Sequence, residues 1–558
     1  MVMCPSSMTD GAAALLRRHL AASHLLDEPQ RQVFAEAYRR LTSRDPSLAW
    51  TSGQWMTERA GGSDVRGTET VATFLGSSSS SDPSNSRDGS AGGQDADGMP
   101  LGPWSLTGFK WFSSATDSQM AILLAQTPHG LSAFYAPMRR RAATTTTTTS
   151  SAIEMNGIRI QRLKPKLGTR ALPTAELELT GTRAFLIGEP GQGVKEVAAI
   201  LNLTRVHTAV GAMGHWGRGL AISRAFARVR RVQGRLLMRH PAHVRALAAN
   251  TLRYRAHLHL AFFTVYLLGV SEHPGSFPSA PDRHPNSSHD AHDHHHLLLA
   301  SPTQAPHLLR LLTPVAKSTC SRAAAAGLQA AIESLGGVGF LEDEQEFNLA
   351  RLWRDNLANV IWEGTTEVLA ADVVRVVTGR DGDEVRGVFG GWVGEVVRRW
   401  RGPEKGTGTG KAGAGADADA DADAGEWVEQ AARAVEAQVE WLRALWEERT
   451  PAELLLRGRE ILQALAWVVA AVLLVEDSRR AAAAAEPADL HYRGSVEAEM
   501  ARRWIARTPP PPGATAPEGS GFAGERAYAE VAAWDSRIVF GASADGDEAG
   551  PGGGNAKL

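Results

Sequence analysis

The chain has 558 residues, with 59 Lys+Arg against 61 Asp+Glu, 43% apolar residues, 56 glycines and two cysteines. Cys4 and Cys320 cannot staple a chain of this size, which excludes a disulfide-built scaffold. A formal charge of −2 excludes a generally basic nucleic-acid coat, and the length suffices for about three or four core-bearing units.

Residues 1–45 read as helix, with apolar clusters at 13–16 and 33–41 among Arg and Glu, and a helical unit is expected over 1–47. Residues 48–190 read as strands and turns, the runs 120–125, 131–135 and 175–179 being punctuated by Gly and Pro. From 194 to 378 the pattern turns helical, with apolar residues at i, i+3, i+4 and an interruption near 270–305. This order predicts an α+β fold, with a middle, mostly antiparallel β-domain packed against a C-terminal helical bundle. A further helical segment is expected over 426–508. Within it the eleven residues 465–475 read as a buried helix, and no stretch reaches eighteen uncharged apolar residues, so no membrane span is expected.

Much of the glycine falls where no core can form. Residues 76–100 are nearly all Ser, Gly, Asp and Asn, 144–149 are all Thr, and 274–296 are polar and Pro/His-rich. Residues 402–425 end in a run of Ala-Asp, and 509–558 are largely Gly, Ala, Pro and acid. Such segments have too little apolar surface to repay the entropy of ordering. The first three are expected as surface insertions (disordered over 76–100 and over about 272–300), the fourth as a linker and the last as a flexible tail.

Four short stretches carry candidate chemistry. In Met56-Thr57-Glu58-Arg59-Ala60-Gly61-Gly62-Ser63-Asp64, paired glycines between hydroxyls form either an ordinary turn or a loop that offers backbone N–H groups to a flat or phosphorylated ligand. In Gly108-Phe109-Lys110-Trp111-Phe112-Ser113-Ser114, aromatics lead into hydroxyls, which suits either a core strand or stacking on a planar heterocycle. Glu333-Ser334-Leu335-Gly336-Gly337-Val338-Gly339-Phe340 follows a helix, so it is not a strand–turn–helix dinucleotide fingerprint. In Trp362-Glu363-Gly364-Thr365, Glu363 is either a helix-capping acid or a carboxylate whose apolar surroundings raise its pKa toward that of a general base.

Taken in order, MTE…GGSD, GxKWFxS, GGxGF and WEGT resemble the acyl-CoA dehydrogenase family of flavoproteins. Cys4-Pro5 with Ser7-Met8-Thr9, residues 163–170 (LKPKLGTR), a helix start at Arg205 and residues 351–355 (RLWRD) make the chain similar to the AidB-like, alkylation-response branch. The likeness covers about residues 4–378. It implies an acyl-CoA dehydrogenase-like fold: an N-terminal helical domain, a middle β-domain and a C-terminal four-helix bundle over 194–378, assembled as a homo-oligomer, a dimer or dimer of dimers. Only three residues precede Cys4, so the N-terminal domain is expected to be truncated.

The resemblance implies FAD as cofactor and an acyl-CoA thioester as substrate. Met56, Thr57, Gly62 and Ser63 would line the flavin and its phosphates, with Trp111 and Ser113 beside the isoalloxazine. Arg230 or Arg231 would meet the pyrophosphate across a subunit interface. Gly336 and Gly337 would let the backbone approach the cofactor, and Thr365 would lie near its adenosine. Glu363 would remove the proton α to the thioester carbonyl while hydride leaves Cβ for flavin N5. Some members place the base before the family's arginine, but Thr204 stands there, leaving Glu363. Glu333 and Gln233 replace the family's Gln and Phe. The alternatives are an AidB-like flavoprotein with weak dehydrogenation and a protective or DNA-associated role, or a catalytically inactive member.

Residues 426–507 hold 11 arginines and 14 acidic residues with no lysine, so a nucleic-acid surface is not favoured. His292 and His294–296 make either a metal cluster without fixed geometry or a solvated loop, and no metal site is expected. The last three residues, Ala-Lys-Leu, resemble a peroxisomal address, and a peroxisomal enzyme is expected, otherwise a cytoplasmic or mitochondrial one.

Overall fold

Residues 120–125 carry no polar side chain, so a strand formed there has to be covered on both faces. The computed structural model describes residues 3–76, 93–142, 152–276, 300–342, 348–401, 416–484, 493–507 and 528–541. The chain divides into two units, Met1–Thr208 and Ala209–Leu558.

The first unit opens with α1 (Met3–Ala21) and α2 (Glu28–Leu41). Its strands are β1 (Ser52–Trp55), β2 (Val71–Phe74), β3 (Trp104–Ser114), β4 (Met120–Thr127), β5 (Gly130–Pro137), β6 (Arg139–Arg141), β7 (Ile153–Met155), β8 (Ile158–Leu163) and β9 (Thr174–Ile187). Helix α3 (Gly193–Val229) starts here and carries the boundary between the units.

Strands β4, β2, β3, β9 and β5 pair in a ring that closes because β4 also pairs with β5; β1 adds to β4 and β8 to β9. The sheet is mostly antiparallel, with β1–β4 and β2–β4 parallel. Alternation along β4 explains its double burial. Met120, Ile122 and Leu124 face a core shared with Leu15, Leu16, Phe34 and Ile200, while Ala121, Leu123 and Ala125 face the ring interior with Leu106, Phe134 and Leu177. On the helical side, His207 Nε2 lies 2.8 Å from Asp10 Oδ2, tying α1 to α3.

The second unit continues from α3 into a hairpin of β10 (Arg231–Val232) and β11 (Arg235–Leu236), then α4 (Pro241–Glu272), α5 (Ala305–Ser334), α6 (Leu349–Ile361) and α7 (Thr366–Thr378). It ends with α8 (Gly382–Arg401), α9 (Ala416–Glu448), α10 (Pro451–Leu456), α11 (Gly458–Ala484), α12 (Arg493–Ile505) and α13 (Tyr528–Phe540). One apolar cluster runs from Trp216 of α3 through Leu260 of α4 and Leu312 of α5 to Phe389 of α8 and Val468 of α11. Among the described residues α11 alone is long and apolar enough to cross a membrane, but 83% of that window is buried inside the protein. It is the central helix of this core.

Three segments expected to stay outside the fold enter it. Residues 93–100, assigned above to an insertion, bridge Gln94 to Pro100 and Asp95 to Arg140. The buried Asp95 carboxylate accepts the N–H groups of Asp97 and Met99, both at about 2.8–2.9 Å, so local hydrogen bonding does what apolar burial cannot. Helix α9 begins at Ala416, inside the expected linker, where every second residue is Ala, the strongest helix former. Helix α13 lies in the expected tail and packs on α4, burying Val531, Ile538, Val539 and Phe540. Its thirteen residues are periodic, but the flanking Gly and Pro dilute the signal. The poly-threonine run, the histidine cluster and the final residues lie outside the described residues.

Helix α13 is held by charge as well as by apolar surface. Arg503 of α12 is buried and donates to Glu499 at 2.7 Å and to Asp535 of α13. Asp535→Ala would leave that guanidinium buried and half-partnered. The expected outcome is a loss of about 3 kcal/mol, read as a lower urea midpoint by tryptophan fluorescence, with Asp535→Asn losing less.

Candidate functional site

In the first unit the glycine-rich loop follows β1. Glu58 N–H donates to Gly61 O at 3.1 Å and Gly61 N–H returns the bond at 3.2 Å, closing a tight turn. A Cβ on Gly62 would stand 2.7 Å from Thr57 Oγ1, so glycine alone lets the loop fold back on that hydroxyl. Thr57 O accepts from Trp111 N–H at 2.9 Å, which joins the loop to β3. Met56 packs against the core under α1 and α2, while Gly62 and Ser63 are exposed.

Under this loop lies a buried ion pair. Lys110 Nζ, with no solvent exposure, is 2.5 Å from Glu58 Oε1 and donates also to Leu124 O at 2.7 Å. Glu58 accepts from Thr70 Oγ1 at 2.6 Å and from Glu69 N–H at 2.6 Å. Burial pushes the Glu58 pKa up, but the Lys110 charge and these donors outweigh it and hold the carboxyl below its ordinary 4.5. The sequence reading passes over both residues. The signal available to it is a lysine between Phe109 and Trp111 in a strand, which has to find a partner.

Trp111 is ringed by cations. Lys164 Nζ lies 3.0 Å from its ring centroid, with the Arg59 and Arg162 guanidiniums at 5.1 Å and 6.0 Å. The buried Glu176 carboxylate gathers all three, at 2.6 Å from Lys164 and Arg162 and 3.6 Å from Arg59. Two residues along β3, Ser113 is fully buried and its hydroxyl has no hydrogen-bond partner among the described residues. An orphan of that kind costs about 1–3 kcal/mol until something bonds it.

In the second unit Arg230 and Arg231 are exposed at the α3 end of the hairpin, whose turn puts Gln233 (φ 51°) and Gly234 (φ 78°) both in the left-handed region. Gly336 and Gly337 open the turn after α5. Gly336 needs its positive φ of 63°, and a Cβ at either position would meet nothing within 4 Å. Val338 and Leu335 pack with Ile222 and Phe226 of α3, so these glycines and the two arginines share one end of that helix. Glu333 is exposed. Arg205 is nearly buried inside α3 and not at its start, because the helix already begins at Gly193.

Glu363 sits in the break between α6 and α7 with φ 57°, a left-handed backbone that costs a non-glycine residue roughly 1–2 kcal/mol. Lys317 of α5, 1% exposed, donates to Gly364 O at 2.5 Å and to Val360 O at 3.5 Å, spanning the break. Thr365 is the N-cap of α7, but its side chain makes no capping hydrogen bond. The indole N–H of Trp362 is buried without a partner among the described residues. Among the described residues no group of three or more His, Cys, Asp or Glu could hold a metal ion.

Residues 191–280 and 295–378 match the acyl-CoA dehydrogenase C-terminal domain. The chain is 36% identical over 394 residues to acyl-CoA dehydrogenase family member 11 of Caenorhabditis elegans, covering 68% of this chain and 52% of that protein. Its fold matches the crystal structure of Caenorhabditis elegans ACDH-11 in complex with C11-CoA at TM-score 0.67 and 30% identity, over 90% of this chain and 71% of that one. The chain belongs to the acyl-CoA dehydrogenase family.

Identity to AidB of Escherichia coli is lower, 28% over 381 residues, covering 68% of this chain and 58% of that protein. The AidB-like placing is therefore corrected in favour of likeness to the nematode family member. The chain spans little more than half the length of these two curated relatives. The peroxisomal expectation is corrected as well. Family relatives whose names state a compartment, the short-chain specific acyl-CoA dehydrogenases of pig and ox, are mitochondrial, at 26% identity over 274 residues. The final tripeptide lies outside the described residues.

The Glu58–Lys110 pair sets a pH dependence for this family member. A carboxyl whose folded pKa is depressed contributes stability that is present above its unfolded value and is lost as pH falls through the folded one. Acid unfolding should thus steepen below about pH 4.5. Glu58→Gln is expected to flatten that limb and to cost about 3 kcal/mol at pH 7, measured by urea unfolding across a pH series.

Proposed function

We propose that this protein is an FAD-dependent oxidoreductase that dehydrogenates acyl-CoA thioesters, with Glu363 as the base. The observation that carries this reading is the Glu363 backbone. It is a carboxylate at φ 57°, pinned by a buried lysine, in a chain of this family.

The residues present fit a flavin nucleotide. Ser113 offers a buried hydroxyl that lacks a partner among the described residues, and Gly336 and Gly337 leave their backbone open to a ligand. Arg230 and Arg231 are exposed guanidiniums of the kind that pair with a diphosphate. Met56, Thr57, Gly62, Ser63 and Trp111 would hold the ring and its phosphates, with Thr365 toward the adenosine. FAD, when bound, supplies the acceptor for the hydride that leaves the substrate Cβ. Glu363 takes the proton from the α carbon and keeps it on a carboxylate oxygen. The nematode relative's complex with C11-CoA supports an acyl-CoA as the substrate.

Lys317 acts as a positioning residue, since it donates to two backbone carbonyls that flank Glu363. The exposed hairpin with Arg230 and Arg231 supports assembly with a second copy of the chain. A nucleic-acid role is not supported, because many C-terminal arginines are spent on acids: Arg433 on Glu429, Arg443 on Glu440, Arg457 on Glu460 and Arg459 on Glu367.

Anaerobic addition of a series of acyl-CoA thioesters to the purified flavoprotein is expected to bleach the flavin absorbance. Glu363→Gln should retain the flavin and slow bleaching by about 10²–10⁴-fold. A flavin that stays oxidised with every thioester would sink the assignment, and protein that binds no FAD would favour an inactive member. Lys317→Met should slow bleaching by about tenfold to a hundredfold at unchanged flavin content. Lys317→Arg should recover part of that rate, which a merely destabilised fold would not do.

A further inference from the structure

The second unit holds a half-open cavity of about 410 Å³ among α4, α5, α7, α11 and α12, with no acidic residue in its lining. Four arginines reach it: Arg253 of α4, Arg322 of α5, Arg459 of α11, and Arg507 just past α12. Among the described residues no carboxylate lies within 4 Å of the Arg253, Arg322 or Arg507 guanidiniums, while Arg459 is held at the rim by Glu367, its Nε at 2.8 Å. Burial, followed by the positive charges of Arg253, Arg503 and Arg245, pulls the Arg507 pKa below its ordinary value. Glu367, which also feels the Arg322 charge, offsets only part of the four, so the cluster keeps an excess of positive charge in a concave, partly desolvated place, where an anion is worth most.

Two further features point the same way. Helix α7, thirteen residues long, starts at this cavity with Thr366, and its N-cap Thr365 supplies no side-chain cap. The positive end of its dipole is thus left toward the cavity. His257 also lines it, donating through Nδ1 to Arg253 O at 2.8 Å. Burial pushes its pKa down to about 4, so at neutral pH its Nε2 is an acceptor that adds no charge. Trp467, Trp504 and Leu462 give the cavity an apolar wall, and the hydroxyls of Ser318 and Thr319 add short polar reach.

We infer that this cavity is a binding site for an organic phosphate ester of mononucleotide size, with the phosphate on the arginines and a flat ring against the tryptophan wall. Guanidiniums bind phosphate bidentately, and a lone phosphate would leave most of the space and the apolar wall unused. The site lies wholly within the second unit. With the residues assigned above to the flavin or to proton transfer it shares only the Thr365 end of α7, and AMP is read on flavin-saturated protein, so its failure would not touch that assignment.

The test is calorimetric titration of the flavin-saturated protein with AMP, inorganic phosphate and adenosine. AMP is expected to bind, with affinity falling as salt rises, and to bind at least about tenfold more tightly than phosphate or adenosine. Arg253→Gln and Arg507→Gln should each weaken AMP by about tenfold or more at unchanged flavin content, while Arg253→Lys keeps part of the affinity. Near-ultraviolet circular dichroism checks that each variant is folded. Absence of AMP binding would overturn the proposal, as would AMP binding indifferent to both glutamine variants. Phosphate binding as tight as AMP would overturn the ester class.

Discussion

A lysine ammonium with no access to water costs several kcal/mol unless it is paired, and in the first unit that constraint organises everything around Lys110. Its ammonium donates to Glu58 Oε1 and Leu124 O, so β3, β4 and the loop after β1 have to converge on one point. The strand period of two then decides the rest. With Lys110 pointing inward, Phe109 and Trp111 turn outward to meet the Arg59 guanidinium, and Lys164 comes over Trp111. The loop that carries Thr57 and Gly62 is thus held from below by charge and from the side by the Thr57–Trp111 backbone bond. A Lys110 without Glu58 would leave a bare charge where the motif residues need a rigid floor.

The second unit repeats the device with helices in place of strands. The last carbonyls of α6 have no intrahelical partner. Lys317 meets Val360 O and Gly364 O and so bridges the interval that contains Glu363. In both units an apolar core supplies the bulk of the burial, and a single buried lysine fixes the register of the loop that carries the candidate chemistry.

Much of this was legible in the sequence where one physical rule dominates. The doubly buried strand at 120–125, the long helices after 194 and the glycine positions follow from period, propensity and sterics. The order of the four motifs led to the family. Its branch was not legible, because short motifs sample few of the residues over which identity is measured. Local composition hid other features. Asp95 is buried through backbone N–H bonds that no hydropathy pattern records, and α13 sits between Gly- and Pro-rich flanks that mask its period. The Lys110 and Lys317 contacts bring together residues 52 and 47 positions apart, so neither charge announces its partner locally. The arginines of the cationic cavity come from four separate stretches of chain, and only packing brings them together.

Backbone strain gives the remaining link between fold and site. Among the described residues the non-glycine positions with positive φ are Ala115, Thr169, Gln233 and Glu363. Each lies in or directly beside a motif: the end of the GxKWFxS strand, the LKPKLGTR loop, the hairpin after Arg230 and Arg231, and WEGT. Glycine would adopt these conformations at less cost, and it does so next door at Gly234 and Gly364. At 363, the carboxylate-bearing residue stands in the strained position and the glycine follows it. The side chain there offers the fold no conformational gain. Its cost has to be met by the surrounding structure, the Lys317 clamp included, and strain held in this way is the feature on which the role proposed for Glu363 rests.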